Sequence, residues 1–102
     1  MIELNQASWY QLVFPIEAGG EQVAGITDAK LVIYRGTDPE LTLTLNDGIM
    51  FNEGKIYVTL DETQTILLLG KYAYELWIVD FQNNPVFVRS DEIKFLPTKT
   101  RF

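Results

Sequence analysis

Leu67-Leu68-Leu69-Gly70-Lys71-Tyr72-Ala73-Tyr74-Glu75-Leu76 is the stretch that decides the fold. A leucine run ends in a glycine and passes directly into a strand whose second residue is tyrosine. At that spacing Tyr72 can bend its hydroxyl back onto the backbone just upstream, within Thr65–Leu69, and pin a crossing between two sheet layers. Two residues on, Tyr74 takes an inward core position. Gly70, Tyr72 and Tyr74 are therefore read as a structural corner. The motif concerns architecture, and no other residue of the chain points as plainly to a reaction.

Working outward from the corner, the chain reads as strands divided by turns. Leu41-Thr42-Leu43-Thr44-Leu45 and Ile56-Tyr57-Val58-Thr59-Leu60 alternate with a period of two, the mark of half-buried strands. Ala29 to Tyr34 is a β-branched and aromatic run closed by Gly36 and Asp38-Pro39; Ser8 to Phe14 is a similar run closed by Pro15. Lys71 to Asp80 and Val86 to Phe95 follow, the latter with a bulge expected at Asp91-Glu92. Ala18-Gly19-Gly20-Glu21, Asn46-Asp47-Gly48, Asn52-Glu53-Gly54 and Gln82-Asn83-Asn84-Pro85 supply the turns. Only Asp61 to Leu69 suits a helical turn, with Asp61 as its N-cap. About seven short strands in one domain over residues 1–96, followed by a loosely held tail over 97–102, predict an all-β, immunoglobulin-like antiparallel sandwich.

Composition narrows the function. The 102 residues, 47% hydrophobic, suffice for one core and leave no room for a second. Cysteine is absent, so no disulfide staples the fold, and an intracellular folding site is expected. The first residues resemble no leader, and no apolar run approaches the roughly 20 residues of a membrane helix, so no membrane partner is expected. A formal charge of −6 opposes phosphate backbones, and direct nucleic-acid binding is not expected. Half of the basic residues, Arg89, Lys94, Lys99 and Arg101, nevertheless lie in the last fourteen positions. The tail with Lys99, Arg101 and Phe102 is thus either a docking arm or a solvated terminus.

Catalytic inventories are thin. Without histidine or cysteine the chain cannot build a His-based triad, a cysteine nucleophile or an ordinary zinc site. Gly19-Gly20-Glu21-Gln22-Val23-Ala24-Gly25 lacks the spacing of a phosphate-cradling loop. A carboxylate pair could be drawn from Asp38, Glu40, Asp47, Glu53, Asp61, Glu62, Asp91 and Glu92, and Asn46-Asp47-Gly48 offers oxygen ligands without the ladder of a dedicated calcium loop. No cofactor or metal is expected, and the chain is read as not an enzyme.

Apolar residues at outward positions carry more information. With Tyr72, Tyr74, Leu76 and Ile78 inward, strand parity turns Ala73, Glu75, Trp77 and Val79 outward, and Tyr57 opposes the inward Ile56 and Val58. Exposed Trp and Tyr on a strand are what interface centres use. Trp77 and Tyr57 are candidate interface residues, and so are Met50 and Phe51 of the Ile49-Met50-Phe51 stretch, which either fills the end of the core or touches a partner.

Several segments together resemble the immunoglobulin-like structural proteins of tailed bacteriophages, a type that includes the N-terminal domain of the baseplate upper protein. These are Gly25 to Arg35, Gly54-Lys55-Ile56-Tyr57-Val58-Thr59-Leu60, Glu62-Thr63 with Leu68 to Leu76, and Ile93 to Thr100. The first strand departs from that pattern, because Phe14-Pro15-Ile16-Glu17-Ala18-Gly19-Gly20 replaces the usual Gly-Asp turn. The resemblance implies a non-enzymatic structural or attachment part of a virion, made in the host cytoplasm. Its partners would be other phage structural proteins and itself, as a homo-oligomer. The alternative is a carbohydrate- or receptor-binding sandwich, which predicts a shallow groove with Trp77 or Tyr57 flanked by polar groups. A hydrolase would instead show two carboxyls facing each other across a cleft.

Overall fold

A computed structural model describes residues 1–18, 21–22 and 25–100. The chain is predominantly β. Its strands are β1 (Ile2–Asn5), β2 (Tyr10–Pro15), β3 (Glu17–Ala18), β4 (Glu21–Gln22), β5 (Asp28–Arg35), β6 (Asp38–Leu45), β7 (Gly48–Asn52), β8 (Lys55–Leu60), β9 (Gly70–Val79) and β10 (Pro85–Leu96), with one helical turn, α1 (Glu62–Thr65), between β8 and β9. Eight strands join one sheet in the order β1-β10-β9-β5-β6-β7-β8-β2, and β3 pairs with β4 in a second, two-stranded sheet.

Two features of this sheet correct the expectation of an antiparallel arrangement of about seven strands. The described residues form ten strands, and the large sheet is mixed: β1 runs parallel to β10, and β6 runs parallel to β7 over two residue pairs. The irregularity of β10 also lies between Phe87 and Arg89 and not at Asp91-Glu92.

The sheet cannot be flat. β2 stands five strand spacings from β9 in the order above, about 24 Å in a flat sheet. The rings of Phe14 on β2 and Tyr74 on β9 are nevertheless 5.9 Å apart. The sheet therefore curls back over itself, and its concave side closes on a single core cluster. That cluster includes Leu4, Phe14, Leu31, Leu43, Ile49, Val58, Leu76 and Phe95, drawn from every strand of the large sheet. Period-two alternation supplies these side chains, so the convex side of each strand is left for polar or functional residues.

The corner locks the entry to β9. α1 begins with a capping box: the Asp61 carboxylate accepts from the Gln64 backbone N–H at 2.9 Å, and the Gln64 side chain accepts from the Asp61 N–H at 2.9 Å. Gly70 then sits at φ +92°, a left-handed conformation that glycine adopts without Cβ strain. Tyr72 is buried, and its hydroxyl accepts from the Leu69 backbone N–H at 3.0 Å and from Arg35 Nη2. The Arg35 guanidinium lies 4.5 Å from the Tyr72 ring centroid, and the ring meets Phe95 edge-on at 5.8 Å. Tyr74 is fully buried beside Phe14, and its hydroxyl has no hydrogen-bond partner among the described residues. Burial pushes that phenol up, with the nearby Arg89 charge offsetting part of the rise.

Candidate functional site

The convex side of β5, β9 and β10 carries the most distinctive surface. A tight hairpin sets it up. Asp80 closes the turn between β9 and β10: its Oδ1 accepts from the backbone N–H groups of Gln82 and Asn84, both at 2.9 Å. These donors hold the Asp80 carboxyl below the usual carboxylate range, the Asn84 N–H foremost. Asn83 takes φ +64° in the same turn. The turn fixes the register, so Val79 faces Pro85 and Trp77 faces Phe87.

Trp77 and Phe87 meet edge-to-face with ring centroids 5.3 Å apart. Both are solvent-exposed, Trp77 at 38% and Phe87 at 48%. The indole N–H of Trp77 points to Glu75 Oε1 at 3.4 Å, which steadies the ring. On the other flank Trp77 is in register with Lys30 of β5. A groove of about 290 Å³ runs beside this pair, and its walls include Asp28, Lys30, Val32, Tyr34, Trp77 and Pro85. Asp28 opens β5, its Oδ1 accepting from the Ala29 N–H at 2.8 Å. Val32 is only 4% exposed yet lies outside the core cluster, because its strand parity places it on the convex side as the groove floor.

The remaining candidates separate. Met50 and Tyr57 are brought together: they are in register across β7 and β8, and Val13 of β2 continues the row. This row lies on the outer side of the β7-β8-β2 end of the sheet, away from Trp77. Phe51 turns the other way, opposite Ile56, and packs against the core. One stretch that reads as a single apolar patch is thus divided by strand parity. Lys99 is exposed, and Arg101 and Phe102 lie outside the described residues. Phe87 and Tyr34 are absent from the sequence-based candidates. The Gln82-Asn83-Asn84-Pro85 turn held the signal for Phe87, since counting back from it sets Trp77 against Phe87.

Other polar groups serve the scaffold. The Asp61 carboxyl is held low mainly by the Thr63 hydroxyl, and the Asp91 carboxyl mainly by the Glu92 N–H and then by the amino terminus, 3.4 Å away. A general acid in sugar chemistry needs the opposite shift. Among the described residues no three His, Cys, Asp or Glu side chains gather as metal ligands, and no helix is long and apolar enough to cross a membrane.

No family model matches the chain, and no curated protein matches it. Among solved structures, the chain is similar over 98% of its length to a protein of Bacteroides vulgatus described as a "putative glycoside hydrolase", with a TM-score of 0.59 and 12% identity. The match covers 17% of that protein, so this chain spans about a sixth of its length. At such identity the likeness concerns the fold. It corrects two expectations all the same. The similarity leads to part of a protein described as a glycoside hydrolase and not to a phage structural protein, which overturns the virion assignment. The reading of the chain as simply non-enzymatic falls with it, because its fold recurs within a protein described as an enzyme.

Proposed function

We propose that this chain is a carbohydrate-binding β-sandwich module whose site is the convex face of β5, β9 and β10. The observation that carries the reading is the exposed Trp77–Phe87 pair at the edge of an open groove with Asp28, Lys30 and Tyr34 beside it. A sugar ring has an apolar face of C–H groups and a rim of hydroxyls, so it needs an aromatic plane together with nearby charged or amide groups. The groove supplies both. Asp28 suits hydroxyl recognition, as does the Glu75 carboxylate that accepts from the Trp77 indole. The solved structure sharing the fold belongs to a protein described as acting on glycosides, which is consistent with a sugar-binding module.

We further infer an immunoglobulin-like sandwich within the curled sheet. The β6–β7 contact is only two residue pairs long, so β1-β10-β9-β5-β6 and β7-β8-β2 can be taken as two layers joined at one edge. The bond from Leu69 N–H to the Tyr72 hydroxyl supports that reading.

The test is a glycan array followed by calorimetry. At least one glycan is expected to bind, and Trp77→Ala to weaken it about tenfold or more, since aromatic contacts of this kind contribute about 0.5–1.5 kcal/mol beyond the area they bury. An array with no bound glycan, or a Trp77→Ala variant with unchanged affinity, would overturn the proposal.

A further inference from the structure

Resting on the carbohydrate reading, we infer that the site holds an internal run of an extended, β-1,4-linked glycan laid along β5 from Trp77 to Tyr34, with at least three sugar units in contact. The register supports this. Asp28, Lys30, Val32 and Tyr34 succeed one another on the convex side of β5, Trp77 stands level with Lys30, and Ala73 stands level with Tyr34. Four residues along a strand and one strand across separate the two aromatic positions by about 14 Å.

A single sugar ring cannot bridge that gap. One pyranose advances an extended chain by about the spacing between neighbouring strands, so a trisaccharide spans it. The middle of the track is built for the intervening ring. Val32 forms an apolar floor, with Glu75 level with it on β9 and Thr42 level with it on β6. Those two side chains flank the floor with hydrogen-bonding groups. At the far end Ala73 presents only a methyl group beside Tyr34, which leaves that ring uncovered on the β9 side.

Among the described lining residues of the groove, none caps either end. Asp28 and Pro85 bound one end without closing it, and the nearest charged pair beyond Ala73, Lys71–Glu92 at 3.2 Å, is itself exposed. An open track admits the middle of a chain. Diequatorial β-1,4 linkages keep a glycan ribbon-like with flat C–H faces on both sides, so one chain can present a face to Trp77 and another to Tyr34. Helical α-1,4 chains curve away over the same distance.

The experiment is calorimetric titration with β-1,4-gluco-, xylo- and manno-oligosaccharide ladders from one to six units, with malto-oligosaccharides and the array's branched glycans alongside. At least one β-1,4 ladder is expected to gain affinity up to three or four units and then level off. Tyr34→Ala should abolish most of that gain, about tenfold, while leaving binding of the shortest sugars unchanged; Tyr34→Trp should retain the gain, which excludes a folding defect at this position. Binding that depends on Trp77 yet shows no length dependence, or that goes only to malto-oligosaccharides or branched glycans, would overturn the track and leave the carbohydrate reading standing. No binding to any glycan would overturn both.

Discussion

Tyr72→Phe is the sharpest probe of the corner, because it removes one oxygen and keeps the ring. The hydroxyl accepts two hydrogen bonds, one from the Leu69 backbone N–H at 3.0 Å and one from Arg35 Nη2. Losing the first strands a partly buried amide, worth about 1 kcal/mol. Losing the second costs less, because Arg35 is exposed and keeps its 2.7 Å bond to the Leu69 carbonyl. The edge contact with Phe95 and the guanidinium over the ring survive. The sum is about 1.5 kcal/mol, which lowers Tm by roughly 6–12 °C in a domain of this size. Urea unfolding should show a lower midpoint with an unchanged slope, since native compactness is unaltered. A variant whose midpoint coincides with the parent's would mean that the Tyr72 hydroxyl does not hold the corner.

Tyr74→Phe, the same chemical change two residues on, should be neutral or stabilising in the same urea assay, because it deletes a buried hydroxyl that has no hydrogen-bond partner among the described residues; a loss comparable to that of Tyr72→Phe would show that the Tyr74 hydroxyl is paired in solution, with Arg89 as the candidate. Gly70→Ala meets open space but must hold φ +92°, so a loss of about 1 kcal/mol is expected, and none if the turn simply relaxes. Asp61, Asp80 and Asp91 all have depressed folded-state pKa values, so their contribution to stability is present above the ordinary carboxylate pKa of 3.8 and is lost as pH falls through the lower folded values. Melting curves between pH 5 and pH 2 should therefore fall less steeply, by about that triple contribution, in an Asn variant of all three than in the parent; parallel falls would contradict the assignment.

The strands that carry the site were legible because each is long and alternates or is rich in β-branched residues. β5, β6, β8, β9 and β10 follow from Ala29–Tyr34, Leu41–Leu45, Ile56–Leu60, Lys71–Asp80 and Val86–Phe95, give or take a few residues. β1 was hidden for a physical reason: four residues give too little alternation, and its partner, Ile93–Leu96, lies at the other end of the chain. Ile49-Met50-Phe51 was ambiguous because a strand this short sends Met50 and Phe51 to opposite faces, which composition alone cannot show. Trp77 could be placed outward by counting from the corner. The groove could not, since it needs Lys30 and Tyr34 of β5, Trp77 of β9 and Pro85 of β10 to meet from three strands, and pairing across a sheet is a non-local property. The virion reading arose from segment likenesses that record the needs of a β fold, such as a glycine before a corner tyrosine, more than the chemistry of a surface.

The chain carries two tryptophans, Trp9 and Trp77, and that permits a direct test of the central claim. Both are exposed, but Trp9 lies in the loop between β1 and β2, whereas Trp77 borders the groove. In a nitrogen-15 NMR titration with the tightest-binding glycan from the array, the indole N–H signal of Trp77 should move with the backbone amides of β5 and β9, while that of Trp9 stays in place. Shifts centred on Trp9, or spread evenly over both indoles, would contradict a sugar site on the convex face of β5, β9 and β10.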